Sequence, residues 1–280
     1  QPRTIDEVKL LLSKNTKLIS SGGFRSYGDS AINEIIINSK YFNKIISFDE
    51  ETGILKAESG ITINEMIKFL LPKGWFLKVT PGTKFATLGG CIASDVHGKE
   101  HHQEGCFSEN LIKLRLLINK DEIVEIDSSS HTDLFQATCG GMGLTGFIIE
   151  AEIKCKKIKS SNIKFNKIIN YNIDEVFLCF EKYMSSNYSV AWLDTKKKKN
   201  NYKSIFTYGD FCDKSKLKLE NCSRLTIPFN IKVINNLSIK IFNNFYFFWN
   251  LFNKKKGKIN YESFFYPLDK LKSWYKLYGK

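Results

Sequence analysis

The feature that most restricts what this chain can fold into is a run of small residues, Thr80–His102, reading TPGTKFATLGGCIASDVHGKEHH. It opens on a Pro-Gly turn, carries a Gly-Gly pair among small apolar residues, and closes on His97-Gly-Lys99 followed by two further histidines. Glycine has no Cβ to hold a neighbour away, so such a segment is built for close approach. Two partners fit that description: a tightly packed core, or a flat anionic ligand lying on a floor of backbone.

Two more glycine clusters bear on the choice. A strand expected at Lys17–Ser20 runs into Ser21-Gly-Gly-Phe-Arg-Ser-Tyr-Gly-Asp29, where exposed backbone N–H groups and the Arg25 guanidinium would form a pyrophosphate cradle. The third cluster, Cys139-Gly-Gly-Met-Gly-Leu-Thr-Gly146, contains a formal G-x-G-x-x-G match. That dinucleotide fingerprint requires a strand before the glycines and a helix after them. Here a short helix over Thr132–Thr138 comes first, and the alternation of Phe147–Lys157 makes a strand follow. The order is reversed and a Rossmann site is excluded, although the backbone of these glycines stays available to a cofactor.

The elements between the clusters are legible from local chemistry. Thr4-Ile-Asp-Glu7 and Thr62-Ile-Asn-Glu65 read as capping boxes opening amphipathic helices, the second ending at Pro72-Lys-Gly74. Ile45–Phe48 and Ile54–Glu58 flank a turn and read as a hairpin, as do Leu111–Ile118 and Ile123–Ile126. After Lys159 the glycines thin out. A strand at Ile163–Ile169, a helix at Asp174–Tyr183 capped by Asn172, and strands at Tyr188–Asp194 and Ser204–Tyr208 predict an antiparallel sheet with helices on one face. Lys196–Lys199 falls at the tip of that last hairpin. Glu262–Asp269 reads as a Pro-terminated strand and Leu271–Tyr278 as a helix.

Taken together, the three glycine clusters resemble the FAD-binding domain of the vanillyl-alcohol oxidase and p-cresol methylhydroxylase (PCMH-type) superfamily. The resemblance rests on Gly23-Phe-Arg-Ser-Tyr-Gly-Asp29, Pro81-Gly-Thr83, Leu88-Gly-Gly-Cys-Ile-Ala-Ser-Asp-Val-His-Gly-Lys99 and Gly143-Leu-Thr-Gly146. Arg25-Ser-Tyr-Gly-Asp29 and Asp95-Val-His-Gly-Lys-Glu-His-His102 are closest to the decaprenylphosphoryl-β-D-ribose oxidase branch, as are Ala191-Trp-Leu-Asp194 and Phe264-Phe-Tyr-Pro-Leu-Asp269 in the second half. The implied fold class is α+β: a two-subdomain FAD-binding domain over residues 1–158, then an incomplete antiparallel-sheet substrate domain over 159–280. The chain starts at Gln1 and stops after Gly279-Lys280, and it is expected to be a fragment lacking pocket groups further on.

The resemblance also implies roles. Gly22, Gly23, Phe24, Arg25, Ser26, Tyr27, Gly28 and Asp29 would wrap the FAD pyrophosphate. Pro81, Gly82 and Thr83 would line the cofactor with Gly89, Gly90, Cys91, Ala93 and Ser94, while Gly143, Thr145 and Gly146 would touch it through backbone. His97, Gly98 and Lys99 would sit at the isoalloxazine edge, His97 and Lys99 being catalytic and Lys99 also facing substrate, with Trp192 in the substrate pocket. The implied reaction is oxidation of a secondary alcohol on a sugar or polyprenyl-phosphate sugar, with hydride passing to flavin N5. An aldonolactone or alditol oxidase of the same superfamily is the alternative. Relatives that attach FAD covalently use a histidine in the first loop; this chain has Tyr27 there, so non-covalent FAD is expected.

Charge and cysteines set the remaining expectations. A net charge of +13 points to anionic partners. The lysines are dispersed and follow no nucleic-acid motif, which leaves a nucleic-acid-binding protein as a distant alternative. His97, His101 and His102 invite a metal, but Gly98 interrupts a helical pairing and no H-E-x-x-H accompanies them, so none is expected. Seven cysteines without a C-x-x-C pair suit free thiols in a reducing, cytoplasmic setting. Ile231–Phe252, dense in apolar residues and followed by lysines, reads either as core helices or as a peripheral membrane contact, and the reading leans to the latter.

Overall fold

The computed structural model describes residues 1–15, 17–26, 28–196, 202–214, 216–219, 224–230, 233–272 and 275–278. Its contacts divide the chain into two units, Gln1–Ile158 and Lys159–Lys280.

The first unit begins with α1 (Ile5–Lys14), whose N-cap Thr4 accepts the Glu7 N–H. The Glu7 carboxylate reaches past the cap to the Arg3 N–H at 2.7 Å, so the expected box closes one residue early. Strands β1 (Leu18–Ser21) and β2 (Ile35–Asn38) pair in parallel. The hairpin β3 (Ile45–Asp49) and β4 (Ile54–Glu58) leads to α2 (Ile63–Leu70), which has the full Thr62/Glu65 capping box and ends through a 3₁₀ turn at left-handed Gly74. Strand β5 (Trp75–Leu77), α3 (Leu88–Ala93) and α4 (His101–Glu104) follow, then β6 (Leu111–Asn119), β7 (Glu122–Asp127), α5 (Thr132–Thr138) and β8 (Phe147–Lys157). Helix before and strand after the third glycine cluster is the reversed order read from sequence.

Five of these strands form an antiparallel sheet in the order β3-β4-β8-β6-β7, with β5 added along the end of β8. The apolar stripe of α1 covers one part of the core, Val8 meeting Ile37, Phe42, Leu117, Phe147 and Ile149. On α2 the stripe Ile63, Met66, Ile67 and Leu70 is buried, as its 3.6-residue spacing demands.

The second unit is a four-stranded antiparallel sheet in the order β10-β11-β9-β13, made of β9 (Asn162–Asn170), β10 (Tyr188–Leu193), β11 (Ser204–Phe211) and β13 (Lys256–Asn260). Helix α6 (Ile173–Lys182), capped by Asn172, follows β9. A two-residue pairing joins β12 (Leu225–Thr226) to β14 (Leu271–Lys272), and α7 (Asn236–Phe252), α8 (Tyr261–Phe265) and α9 (Tyr275–Tyr278) complete the unit.

Three expectations change here. Leu271–Lys272, expected to open a helix, instead pairs with Leu225–Thr226 as a strand, and the helix is Tyr275–Tyr278. The helices take opposite faces of the sheet. Phe206 meets Phe180 of α6, while its strand neighbours point the other way, towards the face where Trp192 meets Tyr246 of α7. Glu262–Asp269 is not a strand: Asn260 caps a helical turn by accepting the Glu262 N–H at 2.9 Å, and Pro267 opens a 3₁₀ turn. Aromatics buried on consecutive positions, Phe264, Phe265 and Tyr266, erase the periodicity that would have separated helix from strand. The tip of the β10–β11 hairpin, residues 197–201, and residues 231–232 lie outside the described residues.

Candidate cofactor site

The three glycine clusters, far apart in sequence, meet in the first unit. Gly22 follows β1 and lies so close to Thr87 that an added Cβ would come within 1.9 Å of its hydroxyl. Thr87 is not free to give way, because its Oγ1 is the N-cap of α3 and accepts the Gly90 N–H at 3.3 Å. The Gly89 N–H donates to Ser59 O at 2.7 Å, docking the start of α3 on the segment after β4. From the third cluster, the Gly140 N–H donates to Ile92 O at 3.0 Å and the Met142 N–H to Ala93 O at 2.7 Å. Gly143 sits against Ser20, and Gly146 packs on the Leu117 carbonyl. Thr145 is tied by its hydroxyl to Thr138, 3.0 Å away.

Most of these glycines therefore serve segment-to-segment packing. Gly28 and Gly82 differ: both are exposed, and a Cβ on either would meet nothing within 4 Å. Around them Phe24, Arg25, Ser26 and Asp29 are also exposed, with the Arg25 guanidinium 5.6 Å above the Phe85 ring. Tyr27 lies outside the described residues. Pro81 and Thr83 are half-buried beside Gly82, as are Ala93 and Ser94 at the end of α3. Cys91 is fully buried and burial pushes its thiol up, so it is packing, not a nucleophile.

Two observations test whether this assembly suits FAD. Three of the four non-glycine residues with left-handed backbone among the described residues are Phe24, Asp95 and Met142, one in each glycine cluster. Such backbone is strained and persists where the surroundings over-determine it, typically around ligands. Second, Ser21 Oγ, Ser59 Oγ, Thr80 Oγ1 and Glu100 Oε2 are buried without a hydrogen-bond partner, and in this unit they are the described side-chain atoms in that condition. Each sits in or against a glycine segment. A buried unsatisfied polar group costs about 1–3 kcal/mol, so four along these glycine segments mark them as suited to a ligand rich in donors and acceptors. A pyrophosphate, a polyol chain and a flavin amide edge have that chemistry, and the residues fit the group.

The His-Gly-Lys end has its own geometry. Gly98 crosses Thr80 so closely that a Cβ would lie 2.1 Å from its carbonyl oxygen. This brings Glu100 under the chain, fully buried, with its Oε1 accepting the Thr80 N–H at 2.7 Å. Burial raises the Glu100 carboxyl to about 7, against the Thr80 hydrogen bond and the charges of Lys156 and Lys99. Next to it, burial lowers the half-buried Lys99 ammonium to about 8, with Glu100 opposing. His97 is exposed, its ring 5.2 Å from that of His101. Helix α4 is held by Glu104, whose carboxylate pairs with Lys78 at 3.3 Å and Lys156 at 3.8 Å. No group of three metal-ligating side chains occurs among the described residues.

Trp192 belongs to the second unit, on β10, with its ring edge-to-face against Tyr246 at 5.1 Å. Sequence reading passed over Glu100, Thr80 and Ser59 as site residues. Only the placement of Glu100 directly after Lys99 offered a signal, because a single charged residue in a loop has no periodicity that reports burial.

Gly22→Ala follows from this packing as a test of the cradle. The new methyl must displace Thr87 and with it the cap of α3, so retained flavin per chain should fall at least tenfold, read by absorbance after gel filtration. Gly82→Ala, with open space, should hold flavin more nearly as the native chain does; equal retention by both variants would remove the cradle from the argument.

The comparisons with known proteins agree with the geometry. A family model described as an FAD binding domain matches residues 1–127. Decaprenylphosphoryl-β-D-ribose oxidase of Mycolicibacterium smegmatis is 30% identical over 94% of this chain and 60% of its own length. D-arabinono-1,4-lactone oxidase of Kluyveromyces lactis is 26% identical over 59% of this chain and 32% of that protein. L-gulonolactone oxidase of Mus musculus is 27% identical over 55% of this chain and 36% of that protein. The chain thus spans 60% or less of the length of these relatives. The first two glycine segments and the four buried, unpartnered polar atoms lie within residues 1–127, the part of the chain that matches an FAD binding domain.

Proposed function

We propose that this chain is the cofactor-binding part and a portion of the substrate domain of an FAD-dependent oxidoreductase. Its substrate would be a secondary alcohol of a sugar or polyprenyl-phosphate sugar. The observation that carries the substrate class is the extent of similarity. The match to decaprenylphosphoryl-β-D-ribose oxidase covers 94% of this chain, whereas the matches to the two lactone oxidases cover 59% and 55%. A substrate preference resides in the second half as much as in the cofactor domain, so similarity extending through both halves favours the first class. Aldonolactone oxidation is the second reading, supported by those two relatives.

Bound FAD supplies the acceptor for the hydride of the carbinol carbon. The protein's own share is to hold that carbon in line and to take the hydroxyl proton. Lys99 suits the second task, because burial has lowered it to about 8 and leaves a usable fraction as free amine near neutral pH. His97, exposed beside it, would meet the incoming hydroxyl or phosphate. Glu100, buried beneath, would tune Lys99 through its charge without touching substrate.

Anaerobic bleaching of the flavin in the full-length parent protein decides the class. A polyprenyl-phosphate pentose should bleach it much faster than an aldonolactone; the opposite ranking installs the second reading, and bleaching by neither ends both. Acid precipitation should release the flavin to the supernatant, since Tyr27 stands where covalent relatives place histidine. Yellow colour that stays with the pellet would overturn non-covalent binding.

A further inference from the structure

Helix α7 buries Phe247 and Asn250 and also turns a second apolar side outward. An ordinary surface helix turns its apolar stripe inward and its polar side to water. Here Asn243 and Asn250 point to the sheet: the Asn243 amide donates to Asp194 Oδ1 at 2.7 Å, and the Lys167 ammonium donates to Asn250 Oδ1 at 2.7 Å. Lys203 adds a bond to Asn244 Oδ1 at 3.1 Å. The outward side is apolar. Leu237, Ile241, Phe245, Phe248, Trp249 and Phe252 are all exposed, Leu237 by 68%, Phe245 by 64% and Phe252 by 85%. At 100° per residue they fall in one arc of roughly 120°, so the side chains form a continuous strip along about 25 Å of helix. A patch of this kind marks an interaction surface.

Charge identifies what it meets. Between Glu220 and Glu262 there is no acidic residue, while Arg224, Lys232, Lys240, Lys254, Lys255, Lys256 and Lys258 carry positive charge. Lys254, Lys255 and Lys256 are exposed and follow directly on the C-terminus of the helix. A second copy of this chain, docked strip to strip, would bring two such cationic sets together, which like-charge repulsion opposes. An anionic bilayer surface satisfies both features at once: aromatic and aliphatic side chains enter the headgroup–acyl boundary, and lysines meet the phosphates. No helix among the described residues is long and apolar enough to cross a membrane, so the fit is to lying on the surface.

We propose that the outward strip of α7, with Lys254–Lys256, is a peripheral docking surface for anionic lipid bilayers. The proposal stands on the polarity of this helix and is independent of the redox activity proposed above; failure of either leaves the other intact.

The test is co-sedimentation of the chain with vesicles of phosphatidylcholine alone or with about a third phosphatidylglycerol. The chain should pellet with the anionic vesicles, less so at high salt, and Trp249 emission should shift to the blue, a shift missing in Trp249→Phe. Lys254→Glu with Lys255→Glu and Lys256→Glu should reduce partitioning by about 100-fold or more, from roughly fivefold per lysine at the surface. Phe245→Ser with Trp249→Ser should reduce it on both vesicle types. Both variants change exposed side chains, and circular dichroism checks that each remains folded. A native chain that stays in the supernatant with both vesicle types overturns the proposal, as do variants that pellet like the native chain. A dimer that Phe245→Ser dissolves, without vesicle binding, would assign the strip to a second copy instead.

Discussion

Replacing Lys99 by methionine should lower the rate of flavin bleaching by the preferred alcohol by about 10²–10⁴-fold, the range of a general base, while flavin content stays unchanged. Methionine keeps the length and apolar stem of the side chain and removes only the amine. The sign of the pH dependence follows from the direction of the shift. A base works in its deprotonated form, and burial has brought Lys99 down to about 8. The rate should therefore climb about tenfold per pH unit below that point and level off above it. The methionine variant should lack this rising limb. A variant that keeps both the rate and the limb would take Lys99 out of the chemistry and leave it a structural lysine.

The second large effect concerns Glu100 and needs no flavin. Its carboxyl lies at about 7 in the folded chain, against the ordinary 4.5, chiefly because it is buried. The folded state thus holds the proton more tightly than the unfolded one. Stability from this group is fully present below about 4.5 and is lost as pH rises through about 7. At 1.36 kcal/mol per unit, that difference amounts to on the order of 3 kcal/mol. Glu100→Gln retains an oxygen to accept the Thr80 N–H and has no charge to bury. Relative to the native chain, its stability in urea should rise between pH 5 and pH 8 by on the order of 3 kcal/mol. A constant difference across that range would mean that Glu100 is ionised throughout, stabilised by the charges of Lys99 and Lys156.

These two adjacent residues show where sequence reading stopped. Lys99 was identified by its place in Asp95-Val-His-Gly-Lys99, but the sequence does not report that it is half-buried, nor that its neighbour is the buried acid. Both facts come from Gly98 crossing Thr80, a contact between segments that no local pattern encodes. Likewise, the glycines read as ligand floor divide in the structure into those that let segments touch, such as Gly22 against Thr87, and those left open, Gly28 and Gly82. Glycine announces close approach; what approaches is decided elsewhere.

Local chemistry carried the rest. The capping box at Thr62, the hairpin around Gly53, the Asn172 cap and the helix-then-strand order about Gly141–Gly146 each depend on residues within a turn or two of one another. The pairing of β5 with β8, the placement of α6 and α7 on opposite sheet faces, the helical turn at Glu262 and the outward apolar side of α7 do not. Helix α7 makes the division plainest. Its composition and the lysines after it were visible in the sequence, whereas its extent as the single helix Asn236–Phe252 was not. Which side faces out was settled by Asp194, Lys167 and Lys203, residues 41 to 83 positions away that claim its asparagines. Hydrogen bonds and burial over such separations are properties of the folded chain, and only the tertiary structure supplies them.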